Sequence, residues 1–418
     1  MPAKLDVQTD YNGPFTSPRR RARIALYSPG IVGLGHLRRN LLISQVLAES
    51  HLHPVNFLVT EAREASAFVN CMPPGMDCIT LPGLSKGVDG VCKPRYLDLS
   101  LKQVLRLRAR TIKAALKEFN PDLLIVDNLP RGAYRELDST LKKLKANGST
   151  RLVLGLRDVL DEPAAVHRDW SRWNYQKRIE AFYDEVWVYG DPRIYNMVEE
   201  YDFAPGVAEK VRFAGYLDQR KRTQLASRCE VQPPETFSLP DARLVLCLLG
   251  GGQDGDKLAE AFSQAQMPRD AFGVIVTGPF MSVEARERLM RCAAANRRLR
   301  VLTFIAEPTR LVERADRIVA MGGYNTVCEV LSFQKRALIV PRTKPRREQI
   351  IRAERLRDLG LIDLLQVEQV CPRAIEEWLA RPLPPVQTRG KINLRGLDRL
   401  PTMARDVLEP SAVEYAAA

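Results

Sequence analysis

Histidine is scarce in this sequence, with four among 418 residues, and none of the eight cysteines forms a C-x-x-C pair. A zinc site and a disulfide framework are therefore disfavoured, and a reducing, cytoplasmic setting is expected. Long apolar runs are missing too. The longest, such as RLVLCLLGGG at 243–252, fall far short of the roughly 20 residues that a membrane span needs. The opening stretch, MPAKLDVQTDYNGPFTSPRRRAR, has no apolar core of the kind a secretory signal carries. It reads as a disordered tail over 1–22 that leads into a basic cluster, Arg19–Arg21 and Arg23. Low-complexity stretches and short-period repeats are also absent.

Positive charge is plentiful. The formal net charge is +13, which favours anionic partners: nucleic acid, an anionic membrane face or phosphorylated ligands. Zinc-finger and RNA-recognition signatures are lacking, and aromatic and basic residues do not interleave as stacking surfaces require. A nucleic-acid partner is not expected. The apolar content of 45% suits a folded chain, and the length suits two domains.

Short β-branched runs alternate with longer helical patterns. In the first half the strand candidates are 23–28, 54–60, 122–127, 151–156 and 185–190; in the second they are 243–249, 272–278, 300–305, 317–323 and 336–341. This alternation predicts an α/β chain with two Rossmann-like, doubly wound parallel sheets. The expected domains are 23–216 and 217–370, with VRFAGYLDQRKR leading into a linker. A helix and tail over 371–418 would pack back on the first domain. Ligands of such sheets bind beyond the carboxyl ends of the strands, where the glycine-rich loops of this chain fall.

The first loop, GIVGLGHLRRN at 30–40, follows a strand. A P-loop would need Lys and then Ser or Thr after its last glycine; here His36 and Leu37 stand there, which excludes that reading. Gly33 and Gly35 allow close backbone approach. A helix starting near His36 would favour an anion, and the imidazole is a candidate general base. The bland alternative is a tight turn with a solvent-facing histidine. Asp127 in VDNLPRG and Asp158 in GLRDVLDEP end strands of the same domain. Either would orient an acceptor or His36, or simply cap a turn.

In the second half, LLGGGQDGD at 248–256 repeats the phosphate-cradle logic through Gly251, Gly252 and Gln253. Asp254 or Asp256 is expected to cap the next helix rather than to bind metal. MGGYNTVCEVLSFQKRALIVPR at 321–342 ends a strand at Gly323 and opens a helix at Asn325 and Thr326. Thr326 and Glu329 fit a capping box, or else Glu329 accepts two hydrogen bonds from a ribose diol. The loop PRTKPRREQ carries Arg346 and leads to Gln349, placed to grip phosphate and to bond hydroxyls. The basic amphipathic segment 101–117 either lies on an anionic membrane or packs its apolar face on the sheet.

MGGYNTVCEVLSFQKRALIVPR, GGGQDG and G-x-G-H together resemble, in order and spacing, the family 28 (MurG-like) glycosyltransferases, which transfer N-acetylglucosamine from UDP. The phrases GLGHLRR, GLRD, VYGDP, GGGQDG and GGYNT are similar to those of a group of predicted bacterial glycosyltransferases of that class. The resemblance implies a GT-B fold and a metal-independent, cofactor-free, inverting transfer of a sugar from a nucleotide-sugar donor, of UDP type, to a hydroxyl acceptor. It implies Glu329 on the ribose, Gly251, Gly252 and Gln253 near the diphosphate, Thr326 on phosphate, Gln349 on the sugar and His36 as base. Where relatives often have Gln-Gln and then Asn, this chain has Glu348, Gln349 and Arg352. The run Gly33-x-Gly35-His36-x-x-Arg39 is also similar to UDP-sugar hydrolases of the pseudaminic acid pathway, in which the histidine would activate water. A non-catalytic nucleotide-sugar-binding protein is the remaining alternative.

Overall fold

The structure, a computed structural model, describes residues 20–29, 34–63, 68, 72–86, 92–226, 239–305, 307–382 and 384–409. Gly33 and positions 1–19 of the expected tail lie outside them.

Seven parallel strands form the first sheet, in the spatial order Met76–Thr80, Val55–Thr60, Arg23–Ser28, Leu123–Asp127, Arg151–Arg157, Glu185–Tyr189 and Val211–Phe213. Six parallel strands form the second: Leu299–Leu302, Ala271–Val276, Arg243–Leu248, Arg317–Ala320, Arg336–Ile339 and Asp363–Leu364. Central strands such as Leu123–Asp127 and Ala271–Val276 are buried along their whole length. That is why they read as unbroken apolar runs: a parallel sheet is covered by helices on both faces. VRFAGYLD is not simply a linker, because its first residues form the edge strand Val211–Phe213.

Arg23–Ser28 pairs with Val55–Thr60 on one side and Leu123–Asp127 on the other. The winding direction reverses there, so a crevice opens at the ends of these two strands. Arg243–Leu248, between Ala271–Val276 and Arg317–Ala320, marks the same reversal in the second sheet. The loops at these two switch points are the glycine loops.

One buried apolar cluster runs from Ile24 and Leu26 through Leu41 and Leu42 to Leu246, Ile318 and Val327, so the domains share packing. The helix Gly396–Leu408 brings Leu397, Leu400 and Met403 into that cluster. Leu217 bridges Arg395, and the Tyr216 amide donates to the Asn393 carbonyl. The helix Pro372–Ala380 behaves differently from the tail expected over 371–418. Its Ile375, Trp378 and Leu379 pack into the second domain's core, so that domain extends beyond 370.

The amphipathic segment forms the helix Leu101–Phe119, capped by Ser100 and Gln103. Its Ile112 and Leu116 face the first sheet, and Arg108 is buried against Glu136. Among the described residues, no helix is long and apolar enough to cross a membrane.

Candidate active site

The helix Gly35–Ala48 starts directly at the first switch point. Its N-cap, Leu34, supplies no side-chain bond, so its first-turn amides and positive dipole end face the crevice. His36, Arg39 and Asn40 stand three and four residues apart, on one face of this helix. All three converge on Asp127, at the end of the neighbouring strand. Asp127 Oδ2 lies 2.8 Å from His36 Nδ1 and accepts from Asn40 Nδ2 at 2.9 Å; Arg39 donates to both carboxylate oxygens at 2.6 and 2.7 Å.

Burial alone would raise the Asp127 pKa, but Arg39 and His36 outweigh it and hold the carboxyl well below the usual range. Arg39 Nη2 also lies 2.9 Å from His36 Nδ1; with the carboxylate ionised and closer, we assign the His36 proton to Nδ1, donated to Asp127, which leaves Nε2 as a free base. Burial lowers the His36 pKa, and the Arg39 and Arg157 cations add to this against the pull of Asp127. The imidazole is 19% exposed and lines the cleft, while Asp127 is fully buried behind it. His36 is thus not the solvent-facing residue of a simple turn, and Asp127 holds its ring from behind.

The opposite wall is built at the second switch point. Gly250, Gly251, Gly252 and Gln253 line the cleft. Gly252 has φ +91°, and a Cβ there would fall 2.3 Å from the Thr277 carbonyl oxygen, so only glycine fits the turn. Asp254 ion-pairs with Arg342, and the following helix Asp256–Gln264 has Gly255 as N-cap with no side-chain cap bond. Neither aspartate therefore caps through its side chain.

Gly323 is the N-cap of the helix Tyr324–Ser332, again without a side-chain cap. The Thr326–Glu329 capping box does not form, because both residues lie inside the helix. Asn325 reaches across the cleft, where its Nδ2 donates to the Gly35 carbonyl at 3.0 Å. Glu329 is buried and its Oε1 accepts from Arg38 Nη2 at 2.9 Å; the same nitrogen donates to Glu307 at 2.8 Å. Burial pushes the Glu329 pKa up against the opposing effect of Arg38.

Gln349 lines the cleft, and its Oε1 accepts from the Arg342 amide at 3.2 Å. Glu348 is bound by Arg342 Nη2 at 2.9 Å and leaves a buried Oε2 without a partner. From the basic loop Arg342 lines the cleft, whereas Arg346 is not among its lining residues. Asp158 does not open into the cleft either. Arg352 bonds both of its oxygens, and the Tyr216 hydroxyl donates to Oδ2 at 2.9 Å.

Gly35, His36, Gly251, Gly252, Gln253, Gly323, Asn325, Thr326, Glu329 and Gln349 therefore line one cleft between the domains. The sequence reading did not single out Arg38 or Arg157; Arg342 belongs to the basic loop expected to grip negative charge, and it is the arginine of that loop that lines the cleft. Arg38 and Arg157 lie within GLGHLRR and GLRD, where their position at a helix start and a strand end was the available signal. Among the described residues no group of three or more His, Cys, Asp and Glu could hold a metal ion.

Residues 245–388 match the family model of the glycosyltransferase family 28 C-terminal domain. An uncharacterized glycosyltransferase of Methanosarcina mazei is 21% identical over 324 residues, which are 76% of this chain and 78% of that protein. Among solved structures, MurG of Acinetobacter baumannii superposes with a TM-score of 0.51 at 15% identity, covering 94% of this chain and 98% of its own. A putative UDP-N-acetylglucosamine 2-epimerase of Listeria monocytogenes gives 0.57 at 12% identity, covering 94% and 98%. At these identities the structural likeness speaks for the fold, which is GT-B. The family match in the second domain speaks for the activity class, that of a glycosyltransferase.

Proposed function

We propose that this chain, a glycosyltransferase by the family 28 domain in its second half, moves a sugar from a nucleotide-sugar donor of UDP type to a hydroxyl acceptor, inverting the anomeric carbon without a metal ion or cofactor. The observation that carries the reading is the buried His36–Asp127 pair, whose free Nε2 shares a cleft with the glycine loop and helix N-terminus of the second domain.

The donor's diphosphate would lie against the amides of Gly251, Gly252 and Gln253 and the first turn of Tyr324–Ser332, near Thr326. Arg38 bonds Oε1 of Glu329, and Oε2 of that carboxylate would accept from the ribose diol. Gln349 would hold the transferred sugar. His36 Nε2 takes the acceptor's O–H proton as that oxygen attacks the anomeric carbon. The bond from that carbon to the diphosphate breaks on the opposite side, and the leaving nucleotide carries away the electron pair. Asp127 stabilises the imidazolium that forms. Helix N-termini and arginines stabilise the charge on the leaving diphosphate, which is the role a metal would otherwise fill.

A cytoplasmic location with peripheral contact to an anionic membrane face belongs to the same proposal. Its support is the stretch 96–107, in which Tyr96, Leu97, Leu99 and Leu107 are exposed along with the cations Lys102 and Arg106.

The test is the thermal shift of the purified chain with UDP-, dTDP-, GDP- and ADP-sugars, with and without magnesium. A ligand at about a hundredfold its Kd adds roughly 2.7 kcal/mol of stability. A magnesium-independent shift with UDP-sugars is expected; no shift with any of them would overturn the donor site. Sugar release without acceptor would point to hydrolysis instead of transfer.

A further inference from the structure

Four arginines line the cleft among the described residues: Arg38, Arg39, Arg157 and Arg342. Three have acids. Arg38 holds Glu329 and Glu307, Arg39 holds Asp127, and Arg342 holds Asp254 and Glu348. The side chain of Arg157 has no hydrogen bond or ion pair with any described residue; its buried Nε is without a partner, as are those of Arg38, Arg39 and Arg342, but these three have acids at their other nitrogens. A half-buried guanidinium that gives up part of its hydration without an ion pair gains nothing within the chain.

The surroundings make this position costlier still. Arg39, Arg346 and Arg352 all act on Arg157 as like charges, and Glu348 is the one carboxylate that counts in its favour. Glu348 is already engaged by Arg342. Burial, followed by these cations, pushes the Arg157 pKa down to about 10. A cation kept in such a place is a recognised mark of a site built for a ligand.

Its place in the fold says which ligand. Arg157 ends the strand Arg151–Arg157, adjacent to the strand that ends in Asp127; Gly155 is the register partner of Asp127. The side chain therefore belongs to the wall that carries His36, while the glycine loop that would take the donor's diphosphate belongs to the other. Resting on the transfer reading above, we propose that Arg157 binds an oxyanion on the acceptor, a carboxylate or phosphate group near the hydroxyl that His36 deprotonates. The planar guanidinium suits either group through paired N–H donors. The acceptor is thus an anionic hydroxyl compound.

The experiment uses the full-length protein saturated with UDP and titrated at constant ionic strength with inorganic phosphate and, separately, acetate. Wild type is compared with Arg157→Gln and Arg157→Lys by melting temperature. At least one anion is expected to raise the midpoint of wild type and of Arg157→Lys but not of Arg157→Gln; which anion does so separates phosphate from carboxylate. Arg157→Gln without added anion should melt no lower than wild type, because it removes an unpaired cation, and its Kd for UDP should stay within about twofold. Three results would overturn the proposal: an anion effect equal in all three proteins or absent from all of them, a clear loss of stability in Arg157→Gln, or a UDP affinity about tenfold weaker in Arg157→Gln, which would assign Arg157 to the donor. If UDP does not bind at all, the donor reading fails separately, and the dependence of the anion shift on Arg157 is still read in the UDP-free protein.

Discussion

Arg352 and Asp158, 194 positions apart and in different domains, meet in a two-pronged ion pair at 2.7 and 2.6 Å with both side chains buried. Arg352 also donates to the Gly322 carbonyl at 3.0 Å, beside the turn that opens the helix Tyr324–Ser332. The pair thus ties the first domain to the backbone of the proposed phosphate site. Removing one partner of such a pair leaves an uncompensated buried charge and costs about 3–5 kcal/mol. Asp158→Asn should lower stability in chemical denaturation by roughly that amount, and the double variant with Arg352→Met should recover part of the loss. Additive losses would mean that the two residues do not act as a pair.

His36→Ala should lower turnover by about 10²- to 10⁴-fold, the usual worth of a general base. Donor affinity should hardly change, because the donor contacts lie on the other wall. Product formation under donor saturation, with binding followed by calorimetry, separates the two quantities. Undiminished turnover would remove His36 from the mechanism.

The pH dependence follows from the direction of the His36 shift. Its pKa in the fold lies below the ordinary 6.5, so the free base persists to lower pH than in an unperturbed histidine. kcat/KM should rise with pH to a midpoint below 6.5 and stay flat through neutrality. The stability contribution has the matching sign. The unfolded chain takes up the proton first, so this contribution is complete above pH 6.5 and is lost as pH falls toward the folded pKa. Asp127→Asn should move the kinetic midpoint still lower, because the carboxylate opposes the shift. A midpoint at or above 6.5 in wild type would contradict this environment.

Glu329→Ala should weaken nucleotide binding far more than it lowers turnover at saturating donor, since the proposed ribose contact is made before and during the reaction alike. It also leaves Arg38 with Glu307 as its acid partner. Glu329→Gln keeps a hydrogen-bonding oxygen and should bind at an intermediate strength. Equal affinity of wild type and Glu329→Ala for UDP would remove the residue from the ribose.

The two sheets were legible because their central strands are buried on both faces. Apart from polar end residues, RIALYS, DLLIVD and RLVLCLL are apolar without interruption, as strands covered on both faces are. Of the edge strands only Leu299–Leu302 was expected; Met76–Thr80, Val211–Phe213 and Asp363–Leu364 were not. Met76–Thr80 is partly exposed along its length, and Val211–Phe213 has three residues. Too little of either is buried to leave a pattern.

The glycine loops could be placed from the sequence because a strand, a run of glycines and a helix define a turn locally. Side-chain pairing could not be placed in this way. Thr326-x-x-Glu329 has the spacing of a capping box, yet the helix starts at Tyr324 and Glu329 turns instead to Arg38, 291 positions away. Asp127 ends one strand and Asp158 directly follows another of the same sheet, and the sequence offers no reason to separate them. Asp127 lies beside the helix that presents His36, Arg39 and Asn40, whereas Asp158 faces the arginine of the opposite domain. The sequence by itself determined two covered parallel sheets and the loops at their switch points, because burial period and turn chemistry are local. Which charges pair across the cleft, and that Arg157 is left without a partner, was decided only when the domains closed on each other, because Coulomb energy depends on distance and desolvation rather than on order along the chain.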